Sequence, residues 1–571
     1  MTITAEILRE PKALPEEASV VESFSSPKQR GNTERLCGLL VFGISLCYLC
    51  IFRHFSARDL DEGIILQAAE RVLRGQIPYR DFFLFYTPGS VYIQAALFKL
   101  CGDSFLVART AIAFIGAICS TFAYSLARRT CSRKTSLFAA AISTIIGVTY
   151  RFAVVHNWYS TLSAMLAIYA AVRLLETGSR SWAFLTGSLA SATVLIEQSK
   201  GAGLCAGFLL GYLILHFLPR EKTEFRLVAS MTGFIWPCLL TVLYFGSHHA
   251  LGVMLQHWFW PLAHYTQANH VPYGHLSWSE GVRNNLYAGP IALRISEIIA
   301  LSPLLIIPIL PLAALVLLAW WTRQIWVTRE LTRQTAHYVL VSAMSAGLLL
   351  SILIVRTDIT DFIYVVPLWC VILAFVLDRP HSDNFPSLQR LRPYALAYFC
   401  VSFGALGFAL LLSVNGAPVR TQTRRGLILT ANEENTIPAL QRLVPADGQL
   451  LVYPYLPLYN YLTQTHSPAR LDFFQSGMNT REQAQSIIEA LESGQTPWVL
   501  FDPAFVGRIH DVWPRTPLGA IADDPVGLYI ARHYRVCQLL RAGPGLTFHL
   551  MTLKNRSCMA SSATNGSRVG L

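Results

Sequence analysis

Long apolar stretches separated by short polar loops dominate the first 415 residues of the chain. Most of them approach the length of about 20 residues that an α-helix needs to cross a bilayer. Only 14% of the 571 residues are charged, whereas a soluble domain averages about 25%. The pattern predicts a polytopic α-helical membrane protein with about eleven transmembrane helices. The predicted spans are 36–52, 105–126, 137–150, 158–175, 182–196, 202–218, 227–245, 298–320, 338–355, 362–377 and 394–414.

The basic residues predict how these spans are oriented. Arginines and lysines cluster in every second loop, as at 128–134, 220–226 and 323–333, while acidic or mixed segments occupy the other loops. Cytoplasmic loops carry the excess of basic residues in membrane proteins. We therefore expect a cytoplasmic N-terminus, an extracytoplasmic C-terminal region and a multi-pass location in the cell membrane, with the bacterial inner membrane favoured.

Composition excludes two other classes of protein. The net charge of +12 resides in the short loops, and there is no basic helix or series of stacking aromatic residues of the kind that binds nucleic acid. Most of the twelve cysteines lie inside apolar runs, including Cys47 and Cys50, which form the chain's one CxxC spacing, so a zinc ribbon or a dithiol redox motif is unsupported. Cys537 and Cys558 lie in the C-terminal region, and the sequence leaves open whether they pair.

Four regions follow from these patterns. Residues 1–35 are predicted to be a disordered cytoplasmic leader, and residues 36–415 a transmembrane domain whose first outer loop is 53–104. Residues 416–559 read as a small extracytoplasmic α/β domain, with strands at 449–454 and 497–502, a helix at 481–491 and a terminal hairpin at 534–553. Residues 560–571 are predicted to be a disordered tail.

The first outer loop is polar, acidic and aromatic. Asp59, with Glu62 three residues later, is typical of a helix start, and apolar residues then recur at helical spacing up to Gly75. The sequence therefore predicts a short amphipathic helix on the outer surface. A second apolar stretch at 91–100 is too short to span and predicts a surface or re-entrant helix.

Charged groups from four segments are expected on this outer face. A carboxylate can act as a general base, and arginine or lysine can bind a phosphate. Structural alternatives stay open: Asp59 and Glu62 can form a capping box, Asp81 can pair with its neighbour Arg80 in a turn, and the cations can extend to lipid headgroups. The charged residues concerned are Asp59, Asp61, Glu62, Arg80, Asp81, Glu197, Lys200, Arg356, Asp358 and Asp361.

Several motifs resemble one enzyme family. Asp61-Glu62-Gly63, the run Arg74 to Asp81 and Phe85-Tyr86-Thr87-Pro88-Gly89 resemble the first outer loop of C-type (GT-C) membrane glycosyltransferases. The resemblance is to the dolichyl-phosphate-mannose protein mannosyltransferase-like group (family 39) and its aminoarabinose-transferring relatives. His156-Asn157-Trp158, Glu197 to Gly201 and Arg356-Thr357-Asp358 with Pro367 also fit. Where that last segment often has a histidine, this chain has Asp361, so the resemblance gives Asp361 no clear role.

The resemblance implies a GT-C-like fold and a sugar donor that is a polyprenyl phosphate, used on the outer face. The acceptor is then a lipid, a glycan or a protein. The family's catalytic acid corresponds to Asp61, with Glu62 beside it. The substrate-binding residues that the resemblance implies are Asp81, His156, Lys200, Arg356 and Asp358. No cofactor is certain, and the resemblance leaves a divalent metal ion open, although the histidines of the 246–297 loop lack a tight ligand spacing.

The main alternative without an enzyme activity is a transporter or flippase of lipid-linked sugars. Such proteins place charges near the middle of the bilayer and often show broken helices in repeated halves. Here the charges lie at predicted helix ends on one face, and no internal repeat is evident. A polymerase or ligase of lipid-linked glycans is a second alternative.

Overall fold

The computed structural model describes residues 27–558 except 58, 221–224, 265–268, 277–279, 379–385, 417, 476, 494–495, 506–508, 510–512, 518, 520–522 and 544–545. Most of the predicted leader and all of the predicted tail lie outside these residues. The first helix begins at Pro27, so the expectation that the leader extends to residue 35 without regular structure is wrong for its last residues.

The N-terminal part of the chain consists of helices that match the apolar periodicity. Their bounds are Pro27–Cys50 (α1), Leu60–Leu73 (α2), Gly89–Cys101 (α3), Phe105–Ala127 (α4), Arg133–Ile146 (α5), His156–Thr177 (α6), Arg180–Ile196 (α7), Gln198–Phe217 (α8), Leu227–Ser247 (α9), Leu251–Ala263 (α10), Glu280–Ala288 (α11), Ile291–Ile306 (α12), Leu310–Thr328 (α13), Arg333–Val355 (α14), Ile359–Ile363 (α15), Val366–Leu377 (α16) and Pro386–Asn415 (α17).

Among the described residues, eight helical segments are long and apolar enough to cross a membrane by length and composition. One of them joins α12 and α13 through a short 3-10 turn into 38 residues. The remaining predicted spans coincide with the shorter helices α5, α7 and α16. The polytopic α-helical class is thus confirmed, and the number of crossings stays a prediction.

Glycines set the close packing of α8 against α14. Gly203, Gly207 and Gly211 recur every four residues along α8, and a Cβ atom added to Gly203 would lie 2.4 Å from the Gly347 carbonyl oxygen of α14. Small residues at this spacing allow membrane helices to approach closely where hydrophobic burial offers no driving force. The contact fixes the C-terminal end of α14, which carries Arg356, relative to the N-terminal end of α8, which carries Lys200.

The C-terminal part folds as a small α/β domain, as expected. A hairpin of Val419–Thr423 (β1) and Gly426–Thr430 (β2) precedes a four-stranded sheet. The remaining elements are Thr436–Leu443 (α18), Leu450–Tyr453 (β3), Leu458–Thr463 (α19), Arg481–Ser493 (α20), Trp498–Phe501 (β4), Pro525–His533 (α21), Tyr534–Gly543 (β5) and Leu546–Leu553 (β6). The four-stranded sheet has the order β3-β4-β6-β5, in which β3 and β4 are parallel and the other pairs antiparallel. The predicted strands, helix and terminal hairpin are all confirmed, and Cys537 and Cys558 form a disulfide.

This domain packs directly on the first outer loop. A Cβ atom added to Gly63 of α2 would lie 2.1 Å from the backbone nitrogen of Leu458, at the start of α19. Only a glycine permits the two helices to come this close. Arg71 of α2 also donates a 2.6 Å hydrogen bond to Asp472, and both side chains of this pair are nearly buried. The domain therefore covers α2 and the acidic turn that precedes it.

Candidate active site

The acidic turn before α2 is organised around an arginine. Asp59 caps α2 by accepting a 3.0 Å hydrogen bond from the backbone N–H of Asp61. Arg151, in the loop between α5 and α6, donates to both oxygens of Asp59 at 2.7 and 2.9 Å and to Oδ2 of Asp61 at 2.7 Å. Burial acts to raise the pKa of Asp59, but Arg151 outweighs it and the pKa lies below its usual value. Both carboxylates are therefore fixed beside a single cation.

Asp61 also contacts the C-terminal domain. The hydroxyl of Tyr455, which follows β3, donates a 3.0 Å hydrogen bond to Oδ1 of Asp61. The Asp61 side chain is 41% exposed, against 14% for Asp59. Asp61 is thus oriented by partners on both of its oxygens and still faces open space, as a group that meets a substrate must.

Glu62 has a different environment, which argues against its predicted catalytic role. Its side chain is fully buried and pairs with Arg109 of α4 at 2.5 Å. The backbone N–H of Val154 donates to the same oxygen, Oε1, at 3.0 Å, and Arg109 also donates to Oε2 at 2.6 Å. A carboxylate enclosed in this way cannot reach a substrate. Glu62 instead ties α2 to the loop that carries Arg151, and it does not complete the capping box with Asp59.

Lys200 lies close to this cluster but is already engaged. Its ammonium contacts Glu197 at 3.0 Å and donates to the Asn157 carbonyl, Ser160 Oγ and Thr161 Oγ1 at 2.8–3.2 Å. An ammonium has three N–H groups, so these acceptors use all of them. The side chain is only 3% exposed. The predicted direct contact of Lys200 with a lipid phosphate is therefore disfavoured, because no donor is left for it.

Tyr364, just after α15, links the two cations. The Arg151 guanidinium lies 5.6 Å and the Lys200 ammonium 5.9 Å from the centre of its ring. The hydroxyls of Tyr364 and of Tyr86 are buried and have no hydrogen-bond partner within the described part of the chain. Buried polar atoms of this kind are rare unless water or a ligand satisfies them. The acidic turn, through Arg151, and the start of α8, through Lys200, therefore both meet at Tyr364.

Arg356 and its neighbours form the next side of the site. Arg356 donates through Nε to Asp358 at 2.5 Å and through Nη1 to the amide oxygen of Asn269 at 3.0 Å. Asp358 caps α15 by accepting from the Asp361 N–H at 3.1 Å. Burial and the adjacent Asp358 carboxylate raise the pKa of Asp361 well above its usual value, although Arg356 and Arg151 oppose this.

The two other predicted substrate residues differ in their placement. The His156 ring, at the start of α6, stacks on Tyr86 at 4.6 Å, and His156 interacts electrostatically with Asp61, Glu197 and Lys200. Asp81 instead accepts from Arg80 at 2.8 Å and from the Ile77 N–H at 2.7 Å. These are the contacts expected if Asp81 pairs with Arg80 and stabilises a turn. The predicted contact of Asp81 with substrate therefore finds no support.

Arg151 and Tyr455 were missed by the sequence predictions, as was Arg109.

Over the described ranges, no group of three or more His, Cys, Asp and Glu side chains is arranged to hold a metal ion. Of the aromatic residues in the 246–297 loop, Tyr265 and Trp278 lie outside those ranges, while Trp260 packs edge-on against Phe83 at 5.3 Å.

Comparisons with known proteins agree with this class of membrane protein. The family model "Dolichyl-phosphate-mannose-protein mannosyltransferase" matches residues 86–245, which is less than a third of the chain. The match includes Arg151, His156, Glu197 and Lys200, and it confirms the resemblance that the motifs indicated. A comparison with curated proteins finds no significant match.

Solved structures with related folds have low sequence identity to this chain. The crystal structure of ArnT from Cupriavidus metallidurans bound to undecaprenyl phosphate has 13% identity and a TM-score of 0.47, over 93% of this chain and 99% of ArnT. ArnT in the apo state has 14% identity and a TM-score of 0.44, over 85% and 95%. The Archaeoglobus fulgidus oligosaccharyltransferase, in complex with Zn and sulfate, has 11% identity and a TM-score of 0.45, over 89% and 72%. Scores this low carry no chemistry over to the present site.

Proposed function

We propose that the protein is a membrane glycosyltransferase that moves a sugar from a polyprenyl-phosphate donor to a lipid, glycan or protein acceptor. One observation carries the proposal: Asp61 is a partly exposed carboxylate held by Arg151 and Tyr455 where the membrane helices meet the C-terminal domain. The family match over residues 86–245 supports the same chemistry.

In this proposal Asp61 is the general base. It accepts the proton of the acceptor hydroxyl or amine while that group attacks the anomeric carbon of the sugar. The bond between the anomeric carbon and the phosphate oxygen breaks, the configuration inverts, and polyprenyl phosphate leaves as the anion. Each Asp61 oxygen accepts one hydrogen bond from the protein and retains a second lone pair for the substrate.

Arg356 is the best placed cation for the leaving phosphate. Its Nε and Nη1 groups bind Asp358 and Asn269, while Nη2 has no hydrogen bond to the described residues. Its side chain is 12% exposed. A guanidinium already fixed through two of its nitrogens loses little conformational entropy when it binds a phosphate through the third. The buried hydroxyls of Tyr86 and Tyr364 are further donors that a phosphate or sugar can use.

Glu62 and Lys200 position this machinery without touching substrate. Glu62 holds Val154 and Arg109, which keeps the Arg151 loop in register with Asp61. Lys200 holds Glu197 and Ser160, which fixes the start of α6 beside His156. His156, Asp358 and Asp361 line the same site, and a role for them in binding the donor is part of the proposal.

The site is proposed to face the extracytoplasmic side, with the N-terminus in the cytoplasm. The transporter alternative is weaker because the charged groups gather at helix ends and under a folded domain. An experiment separates the two: membranes with and without the protein are incubated with radiolabelled polyprenyl-phosphate sugar. Label appearing in a new covalent glycoconjugate, identified by mass spectrometry of envelope glycolipids and glycoproteins, supports the transferase. Movement of the intact donor across the membrane without a new bond overturns it.

A further inference from the structure

A cavity lies at the end of the helical bundle opposite the candidate active site. This basal cavity has a volume of about 1270 Å³ and lies between α1, α4, α6 and α14. The residues that define it here are Gly38, Phe42, Phe122, Tyr124, Arg128 and Arg333.

The helices themselves place the basal cavity far from Asp61. The helix α14 begins at Arg333 beside the cavity and is followed by Arg356 at the candidate active site. In the same way, α6 runs from His156 at the site to Thr177 at the basal end. A helix of 23 residues such as α14 is about 35 Å long. The two sites therefore lie at opposite ends of the bundle, about one membrane thickness apart.

The charges around the basal cavity are unbalanced. Glu34 contacts Arg128 at 3.2 Å and Arg133 at 2.7 Å, and Glu176 contacts Arg129 at 2.5 Å. Arg35, Arg173 and Arg333 add three cations at the same end. Six arginines thus share Glu34 and Glu176, while a third carboxylate at this end, Asp378, accepts hydrogen bonds from Ser132 and Thr135. An anion fits this arrangement.

The walls of the basal cavity indicate what kind of anion it is. Leu39, Phe42, Ile118 and Phe122 line it on the side toward the membrane centre. Only 11% of the apolar stretch of α1 is buried inside the protein. We therefore expect α1 to face lipid, with the cavity opening beside it. A soluble phosphate gains nothing from apolar walls, whereas the acyl chain of a membrane lipid exchanges the hydrocarbon of the bilayer for these walls without a solvation cost.

We infer that the basal cavity binds an anionic glycerophospholipid of the adjoining leaflet. Its phosphate lies among Arg35, Arg128 and Arg333, and an acyl chain lies along Phe42 and Phe122. The excess of arginine alone is also what the positive-inside rule produces. The cavity and its apolar wall are what that rule does not explain.

Two glycines of α1 provide a matched test of the cavity. A Cβ atom at Gly38 would meet Thr121 at 4.0 Å, an ordinary contact, whereas Gly43 has nothing within 4 Å. Gly38→Leu therefore fills the cavity without touching a charge, and Gly43→Leu adds the same side chain elsewhere on the helix. Native mass spectrometry of the full-length protein in detergent, titrated with phosphatidylglycerol or phosphatidylcholine, measures binding.

We expect wild-type protein and Gly43→Leu to bind phosphatidylglycerol in preference to phosphatidylcholine, and Gly38→Leu to lose that preference. The double variant Arg35→Gln/Arg333→Gln should weaken phosphatidylglycerol binding about tenfold or more, while Arg180→Gln, an exposed arginine at the same end, should not. Equal binding of the two lipids, or unchanged binding by Gly38→Leu, overturns the inference. Displacement of phosphatidylglycerol from the cavity by stoichiometric polyprenyl phosphate overturns the choice of lipid.

Discussion

Replacing Arg151 by glutamine tests whether the acidic turn is held for catalysis. Arg151 makes three hydrogen bonds to Asp59 and Asp61 at 2.7–2.9 Å, and its side chain is 23% exposed. Exposed ion pairs contribute about 0–1 kcal/mol, whereas breaking a buried pair costs about 3–5 kcal/mol. For this partly buried arginine we expect a loss of about 2 kcal/mol in the free energy of unfolding.

The effect of Arg151→Gln on transfer should be larger than its effect on stability. Without the guanidinium, Asp61 keeps only the Tyr455 hydrogen bond and can rotate away from the acceptor. A misplacement of about 1 Å can cost about a hundredfold in rate. The assay is transfer from a radiolabelled polyprenyl-phosphate sugar by protein in nanodiscs, with thermal unfolding followed in parallel.

Two companion variants make the Arg151 result interpretable. Arg151→Lys keeps the charge but cannot donate to both oxygens of Asp59, so its rate should lie between those of wild type and Arg151→Gln. Arg80→Gln removes an arginine that pairs with Asp81 on the surface and should change neither rate nor stability. A folded Arg151→Gln protein that transfers sugar at the wild-type rate would refute the proposed role of the turn.

Three further predictions concern the support of the site. Tyr455→Phe removes one hydrogen bond to the catalytic carboxylate and should lower the transfer rate about fivefold to tenfold with an unchanged melting temperature, whereas an unchanged rate would remove the C-terminal domain from the mechanism. Lys200→Met leaves the Glu197 charge buried without its partner, so it should lower the free energy of unfolding by about 3–5 kcal/mol. If the pair is structural, the double variant Lys200→Met/Glu197→Gln should recover most of that free energy. Burial lowers the pKa of His257 to about 4, so the unfolded state binds more protons than the folded state between pH 6.5 and 4. The free energy of unfolding should therefore fall by at most about 3 kcal/mol as the pH decreases through that window. His257→Phe should flatten this pH dependence in thermal unfolding between pH 7 and 4.5, and an equally steep curve would exclude this ring as its source.

The membrane architecture was largely predictable because it follows from local patterns. Helix positions come from apolar runs whose length the bilayer dictates, and the distribution of basic residues orders them. The strands at 450–453 and 498–501 were equally evident, since short apolar runs between turn residues suit few other structures. The same patterns predicted that the acidic turn and the ends of α8 and α14 lie at the same end of the helical bundle.

The partners within that site were less predictable. Lys200 and Glu62 were assigned roles from their position at helix ends, but spacing along the chain does not reveal that each is enclosed by an opposite charge. Tyr455 lies 394 positions from Asp61, and only the docked C-terminal domain brings them together. Arg151 and Arg109 did leave signals: Arg151 is a basic residue on the face where acidic segments lie, and Arg109 is a charge within an apolar span. Both exceptions are costly and usually functional or structural.

The most direct test of the central claim is the rate at which the purified protein releases polyprenyl phosphate from a labelled donor in the presence of acceptor. Asp61→Asn keeps the shape of the side chain but cannot take up a proton. We predict that this variant binds donor normally and that its rate falls by about 10²–10⁴-fold, while Asp81→Asn stays within about twofold of wild type. An Asp61→Asn protein that transfers sugar as fast as wild type would show that Asp61 is not the general base.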